Sequence, residues 1–260
     1  MKRAIVFALL LLAAPLYPLK QQFYKVRLSG PTEEVLRTVK KYLPVDPVIV
    51  EAGACDGTDS LIIAKYWSQG RLYAFEPVPE LFDKLKSRCK KRKNMTCLPL
   101  ALSDRTGTAT FYLATSDKNP GVTVGSSSLL PPAEHLDYDP HILFPTSIKV
   151  ETVSLDEWAR KQNVDHVDFF WLDMQGTELN MLKESGIARN AKAIYTEVEF
   201  VEAYRGQYLY PDVKRWMEEN GFILVASDFN ETRILKGDRG HMWFGNALFV
   251  KKELISGLKK

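Results

Sequence analysis

The sequence predicts an α/β fold with a doubly wound, mostly parallel β-sheet. Short apolar runs alternate with segments of helical periodicity between residues 48 and 251, and this alternation is typical of βαβ units. The clearest unit has a strand at 48–51, a helix at 58–67 and a strand at 72–76. The pair Gly245-Asn246 before the last strand resembles a hairpin turn, so we expect that strand to run antiparallel.

The other elements follow in order along the chain. Apolar residues at helical spacing predict a lead-in helix at 32–42, with Thr32 as its N-cap. Beyond the first βαβ unit, the same patterns predict helices at 79–92, after Ser154, at 177–184 and at 211–220, and strands at 95–100, 107–113, 148–153, 167–173, 193–199, 222–226 and 247–251.

Residues 114–146 are rich in proline, glycine and serine and show little periodicity. A structureless segment of this length is unusual in a compact domain unless it covers a functional site. We therefore expect an inserted β-hairpin, formed by strands 107–113 and 148–153, that carries a long aromatic-rich loop over an acceptor molecule.

Length and charge limit the class of protein. The 260 residues suffice for one large α/β domain, and the net charge of +3 argues against a nucleic-acid partner. We divide the chain into a hydrophobic signal- or anchor-like segment at 1–20, a helical lead-in at 21–47, the α/β domain at 48–251 and a charged tail at 252–260. The sequence gives no indication of an oligomeric state.

Three cysteines, Cys55, Cys89 and Cys97, are too few for a disulfide framework and include no Cys-x-x-Cys pair. This pattern also argues against a zinc site. Cys89 and Cys97 are close enough in sequence to pair, but we expect both to be reduced.

The turn after the first strand predicts a nucleoside-binding site. It reads Glu51-x-Gly53-x-x-x-Gly57, with Ala54 at an inner position, and the next strand ends in Glu76. Small residues let the backbone approach a ligand, and a carboxylate at the second strand end can hold both hydroxyls of a ribose.

The same turn distinguishes between nucleosides. It lacks the Gly-x-Gly-x-x-Gly of a dinucleotide fold, and Asp56 near the helix start would repel a pyrophosphate. S-adenosylmethionine carries an ammonium, a sulfonium and a ribose but no phosphate, so we favour it over NAD. A nucleotide-free α/β turn is the alternative.

The N-terminal segment predicts an association with membranes. Lys2 and Arg3 precede the apolar residues 4–16, as in a secretory signal, but this run is short for a membrane span. Three cations between residues 20 and 27 weaken an outward orientation. Because S-adenosylmethionine is made in the cytosol, we expect a membrane-associated protein whose catalytic domain faces the cytosol; an exported or lumenal domain is the alternative.

Five motifs in this order resemble the FkbM-type family of S-adenosylmethionine-dependent methyltransferases. They are residues 48–57, Phe75-Glu76-Pro77, Ala101-Leu102-Ser103-Asp104, residues 172–178 and residues 246–250, so that the resemblance covers nearly all of 48–251. It implies a seven-stranded sheet of order 3-2-1-4-5-7-6 with an antiparallel last strand.

The resemblance also implies roles for individual residues. The turn residues Glu51, Gly53 and Gly57 would shape the pocket for the methionine end of the cosubstrate. Ala54 and Asp56 in the same turn are further candidates for the cosubstrate site, since the Asp56 carboxylate can accept hydrogen bonds from an ammonium or a ribose. Glu76, followed by Pro77, would bind the ribose, Ser103 and Asp104 would lie near the adenine, and Asp173 would lie beside the transferred methyl group.

Two positions depart from the family pattern. Trp171 stands where relatives often have lysine, and Gln175 where they often have glutamate, whereas Asp173 and Glu178 are kept. One interpretation is that the acceptor, or the path by which its proton leaves, differs from that of relatives. The other is that the changes reflect packing on the back of the strand.

An alcohol acceptor must lose a proton, so a base is expected near the methyl group. The candidates are Asp173, Glu197, Glu199 and His241; Glu197 and Glu199 share one face of a strand. His135, His141 and His166 do not have the spacing of metal ligands, so we expect no metal site built on histidine. The alternative is a magnesium ion held by Asp173 and a neighbouring residue.

We therefore predict an S-adenosylmethionine-dependent O-methyltransferase that acts on a hydroxyl of a sugar, glycan or other small molecule. Two alternatives stay open at this point. One is an NAD-dependent oxidoreductase. The other is a non-catalytic descendant that binds S-adenosylmethionine or a protein partner.

Overall fold

A computed structural model describes residues 26–27, 32–90 and 92–257. In this part of the chain the strands are β1 Val26–Arg27, β2 Val48–Ala52, β3 Arg71–Phe75, β4 Met95–Leu98, β5 Ala101–Ser103, β6 Gly107–Ser116, β7 Asn119–Thr123, β8 Ile142–Ser154, β9 Phe169–Leu172, β10 Ala193–Glu199, β11 Phe222–Ser227 and β12 Phe244–Lys251. The helices are α1 Thr32–Val39, α2 Thr58–Tyr66, α3 Pro79–Cys89, α4 His135–Tyr138, α5 Leu155–Gln162, α6 Glu178–Lys183, α7 Gly186–Arg189, α8 Tyr210–Glu219, α9 Glu231–Leu235 and α10 Lys252–Gly257; the 3₁₀ turn Lys40–Tyr42 follows α1.

The main sheet has the strand order β4-β3-β2-β9-β10-β12-β11-β1. Strands β4, β3, β2, β9 and β10 are parallel, whereas β12 is antiparallel to both of its neighbours. Without β1, this is the predicted order 3-2-1-4-5-7-6 with an antiparallel last strand, so the predicted fold class is confirmed. The difference is an eighth strand of two residues, β1, which extends the sheet beside β11.

Helices cover both faces of this sheet. Along β9, Phe169 and Trp171 face α1 and α2, whereas Phe170 and Leu172 face the side covered by α5, α6 and α8. All four residues are buried, as expected for a parallel strand that is covered on both faces. The turns that carry Glu76 and Asp173, and the end of β10 with Glu197 and Glu199, therefore lie at one edge of the sheet, where the parallel strands have their carboxyl ends. Ser103 and Asp104 instead follow β5 of the second sheet.

A second sheet has the strand order β5-β8-β6-β7. Its strands are inserted in the sequence between β4 and β9 of the main sheet. Strands β6 and β8 pair antiparallel, which confirms the predicted hairpin. The predicted structureless segment 114–146 is wrong in part, because the pairing continues past a bulge to Ser116 and Ile142, and because β7 and α4 lie within it. Sequence periodicity misses this extension because its β8 half, residues 142–147, is largely exposed and shows no regular alternation of apolar residues.

The expectation that Cys89 and Cys97 are both reduced is also wrong. Cys89 at the end of α3 and Cys97 in β4 form a disulfide, with their Cα atoms 6.6 Å apart. The packing of α3 against β4 brings the two residues together, and neither the odd number of cysteines nor their spacing indicates this. Cys55 keeps a free thiol.

Within the described residues, no helix combines the length and the apolar character that a membrane crossing requires. The apolar residues 4–16, on which the expectation of membrane association rests, lie outside the described residues.

Removal of the disulfide tests its contribution to the fold. We expect the double variant Cys89→Ser/Cys97→Ser to lose ~2–3 kcal/mol of unfolding free energy, because the cross-link restricts the unfolded chain. Urea denaturation of both proteins without reductant measures the difference. With a strong reductant present the two curves should coincide; equal stability without reductant would contradict a disulfide in the folded protein.

Candidate active site

A deep cleft opens at the carboxyl ends of β2 and β3 and is covered from the other side by the inserted sheet. It encloses ≈ 590 Å³, part of which is open to solvent. The residues from the main sheet that line it include Ala52, Gly53, Cys55, Glu76, Pro77 and Asp173, and those from the insertion include Phe111, Val124, Gly125, Ser127 and Leu129. The lining is mostly apolar, as in a pocket for a small organic molecule.

The turn after β2 adopts a conformation that depends on glycine. Gly53 has φ +83°, and a Cβ atom there would overlap the backbone oxygen of Asp173. Its N–H and that of Ala54 both donate to the carbonyl of Phe75, at 3.1 and 3.0 Å. Strand ends β2, β3 and β9 are thereby held close together around the floor of the cleft.

Glu76 is the carboxylate best placed for a ribose. It is 4 % exposed, and its two oxygens accept backbone N–H groups of Cys55 and Val78, each at 2.8 Å. Burial raises its pKa to about 7, against the opposing effect of these two donors. Because each carboxylate oxygen accepts more than one hydrogen bond, the oriented group can still receive hydroxyl donors from the cleft.

Three other predicted turn residues do not line the cleft. Asp56 accepts hydrogen bonds from the backbone and hydroxyl of Thr58, at 3.0 and 2.7 Å, and pairs with Arg88 at 2.8 Å, so that it connects the start of α2 to α3. Ala54 packs against Leu85, and a Cβ on Gly57 would lie 2.7 Å from the same leucine.

Glu51 lies beneath the turn rather than in the cleft. It is 1 % exposed, and burial, with a smaller effect of the neighbouring carboxylates, raises its pKa to about 8. A carboxyl with this environment is protonated at neutral pH and acts as a neutral polar group within the fold.

Ser103 and Asp104 line a neighbouring groove. The Ser103 hydroxyl donates to Asp104 at 2.8 Å. This groove and the cleft share Leu129 and Thr177 as lining residues, so Ser103 and Asp104 lie beside the cleft and not on its wall.

A second, more polar cavity of ≈ 600 Å³ adjoins the cleft at Asp173, which lines both. Its other lining residues are Thr32, Asp59, Trp171, Leu172, Tyr195, Glu197 and Asn246. Trp171 and Tyr195 stand side by side on its wall, with ring centroids 4.2 Å apart. None of the described residues that line it is a lysine, an arginine or a histidine.

Two candidate bases lie together at the edge of this second cavity. Asp173 is open to the cleft, yet the surrounding protein desolvates it and raises its pKa. Burial and the neighbouring carboxylates Asp173 and Glu199 raise the pKa of Glu197. The amide nitrogen of Gln175 donates to both Asp173 and Glu197, at 2.6 and 2.8 Å. The sequence singles out Gln175 as a departure but gives no sign of this bridge.

The other two candidates lie elsewhere. Glu199 is buried, and one of its oxygens has no hydrogen-bond partner. His241 is exposed in the loop before β12 and lines neither cavity. Within the described residues, no group of three or more histidine, cysteine, aspartate or glutamate side chains has an arrangement that could hold a metal ion.

Truncation of Glu76 tests the ribose site. We expect Glu76→Ala to weaken the binding of S-adenosylmethionine and of its demethylated product by more than tenfold each, because both lose the same pair of oriented acceptors. Isothermal titration calorimetry measures this. Glu80→Ala, which removes an exposed carboxylate on α3, is the matched control and should bind as the wild type does; tight binding by Glu76→Ala would contradict the assignment.

Comparison with known proteins gives two similar sequences. The 2-O-methyltransferase NoeI of Sinorhizobium fredii strain NGR234 is 30 % identical over 165 residues, which cover 62 % of this chain and 67 % of that protein. Methyltransferase sdnD of Sordaria araneosa is 26 % identical over 208 residues, which cover 70 % of this chain and 76 % of that protein.

Among solved structures, a SAM-dependent methyltransferase from Aquifex aeolicus covers 84 % of this chain and 88 % of its own, with a TM-score of 0.41 and 14 % identity. The family described as methyltransferase FkbM domain matches residues 51–224, which include the turn after β2, Glu76 and Asp173. The chain therefore belongs to the FkbM methyltransferase family and is an S-adenosylmethionine-dependent methyltransferase.

Proposed function

We propose that this enzyme methylates a hydroxyl group of an uncharged, polyhydroxylated acceptor such as a sugar or glycan. The observation that carries the proposal is the position of Asp173 between the apolar cleft and the polar cavity. The methyl group must be accessible to the cosubstrate from one side and to the acceptor from the other. We therefore place its transfer where the two cavities meet, at Asp173.

The cleft suits the adenosyl part of the cosubstrate. Its walls are apolar around Phe75, Val78 and Leu102, which fits a flat purine, and Glu76 offers oriented acceptors for two ribose hydroxyls. When bound there, S-adenosylmethionine supplies an activated methyl group on a positively charged sulfur. The carboxylates around Asp173 provide a negative environment for that charge.

The polar cavity suits the acceptor. Ring faces of sugars are apolar at their C–H groups and pack on aromatic side chains, and the partly exposed ring of Tyr195, backed by the buried Trp171, offers such a surface. Asp59, Glu197 and Asn246 offer hydrogen-bond partners for several hydroxyls. Negatively charged acceptors would meet carboxylates, and the described residues that line the cavity include no compensating cation. The name of the relative NoeI, a 2-O-methyltransferase, supports oxygen as the methylated atom.

In this arrangement Asp173 accepts the proton of the acceptor hydroxyl while the hydroxyl oxygen forms its bond to the methyl carbon. The carbon–sulfur bond breaks in the same step, and its electron pair stays on sulfur. Alignment of the oxygen with the methyl group by the walls of the cavity supplies several kcal/mol of the acceleration, and a placed base adds roughly 10²- to 10⁴-fold.

A transfer assay with labelled cosubstrate tests the proposal. We expect label in neutral oligosaccharides or glycosides, and at least tenfold lower kcat/KM for the matched uronic acids and sugar phosphates, because these place a negative charge among Asp59, Asp173 and Glu197. Equal or faster transfer to the anionic members of each pair would contradict the proposed acceptor class.

Asp173→Asn serves as the inactive control in the same assay. The variant keeps the size and the acceptor oxygen that Gln175 contacts, so we expect S-adenosylmethionine to bind within about threefold of the wild-type affinity. Loss of the base should lower kcat by roughly 10²-fold or more. Near-normal turnover would remove Asp173 from its role as base.

The compartment in which the domain works is a separate proposal. Disulfides persist mainly in oxidising compartments, so the bond between Cys89 and Cys97 supports the exported or lumenal alternative over a cytosol-facing domain. Because S-adenosylmethionine is made in the cytosol, we infer that such a compartment also receives the cosubstrate.

Thiol trapping tests this proposal in cells that produce the full-length chain. Free thiols are blocked with a maleimide before lysis, and newly reduced thiols are labelled afterwards. We expect Cys89 and Cys97 to be labelled only after reduction, with Cys55 as the internal control for a free thiol. A pair that is fully blocked before reduction would favour the cytosol.

A further inference from the structure

Gln175 occupies an unusual position in the turn between β9 and α6. Its φ is +56°, in the left-handed region that residues with side chains rarely adopt. The side chain is 9 % exposed and lies across the ends of β9 and β10. A strained backbone that persists in a turn beside an active site requires compensating contacts.

Those contacts involve every polar atom of the amide. The nitrogen donates to Oδ1 of Asp173 at 2.6 Å and to Oε1 of Glu197 at 2.8 Å. The amide oxygen accepts the hydroxyl of the buried Tyr204 at 2.6 Å, and the backbone carbonyl of Gln175 accepts the hydroxyl of Ser128 at 2.7 Å. The nitrogen therefore faces the two carboxyl oxygens, which accept its N–H groups, and the amide oxygen faces the hydroxyl of Tyr204.

The charges around this bridge are negative. Asp59 on α2 acts on Asp173, and the groups that act most strongly on Glu197, besides Asp173, are Glu199 on β10, Glu178 on α6 and Asp228 after β11. Desolvation raises the pKa of Asp173, and the hydrogen bond from Gln175 lowers it. Without the amide of Gln175 between them, Asp173 and Glu197 would share one proton, because two adjacent carboxylates repel each other.

We infer that Gln175 is a positioning residue, which holds Asp173 and Glu197 on the two N–H groups of one amide and keeps Asp173 able to accept the acceptor's proton. This inference rests on the proposed function, since it assigns a task to the base of that reaction. A glutamate of the same size has no N–H to donate and adds a third negative charge.

The test is the pH dependence of kcat/KM in Gln175→Glu. A third carboxylate raises the pKa of Asp173, so the base stays protonated to a higher pH, and the acid limb of the profile moves to alkaline pH. We expect a shift of about one pH unit or more, which is a roughly tenfold loss at the foot of the limb. Gln162→Glu is the matched control, because Gln162 is exposed at the end of α5, on the opposite edge of the sheet; its profile should not move.

A charge-swapped variant separates positioning from a general effect on the fold. Gln175→Glu/Glu197→Gln again has one amide beside two carboxylates, so its acid limb should return toward the wild-type position. If Gln175→Glu does not fold, Gln175→Met decides, because it has a similar length and no donor and should also move the limb to alkaline pH. A wild-type acid limb in the variant that folds, or a double variant that stays shifted, would overturn the inference.

The failure of this inference can be told apart from the failure of the proposed function. If Asp173→Asn keeps normal turnover, the base itself is misassigned. If Asp173→Asn is inactive and the Gln175 variants have the wild-type pH profile, Asp173 is the base and Gln175 has no part in positioning it.

Discussion

The structure depends on one electrostatic constraint: buried acidic residues from several strands meet at a single edge of the sheet, and among the described residues no cation is one of the strongest charges acting on them. Parallel β2, β3, β9 and β10 all end there: Glu51 is the last residue but one of β2, Glu76 and Asp173 follow β3 and β9, and Glu199 ends β10. Burial raises the pKa of Glu51, Glu76, Glu178 and Asp173. The edge tolerates these groups because some are protonated at neutral pH and because others receive N–H donors from the backbone or from Gln175.

This acidic edge suits a cosubstrate with a positively charged sulfur. The charge is lost when the methyl group leaves, so the same carboxylates interact less favourably with the neutral product, and this difference favours its release. Hydrogen bonds to backbone or hydroxyl groups orient the side chains of Glu76, Glu178 and Gln175. These side chains therefore lose little conformational freedom when the cosubstrate binds.

The inserted sheet covers the cleft, and none of its described residues on the cleft wall is acidic. Its residues on the cleft are small or apolar, and Ser128 and the carbonyl of Ser126 connect the insertion to Gln175 and Tyr204. The insertion therefore contacts the same bridge that holds the two carboxylates together. His135 on α4 extends this contact, since it lies among Phe144, Tyr204 and Trp243 with neither ring nitrogen hydrogen-bonded.

The sequence by itself determined the alternation of strands and helices, the turn after β2 and the placement of Glu76 and Asp173 at strand ends, because periodicity and small-residue turns are local properties of the chain. The strand order was expected only from the resemblance to the FkbM-type family. It also indicated Gln175 and Trp171 as unusual. Only the tertiary structure decided that Trp171 lines a second cavity beside Tyr195, that Asp56 pairs with Arg88 and that Cys89 pairs with Cys97. These contacts join residues that are distant along the chain or on different elements, and no local pattern encodes which elements pack together.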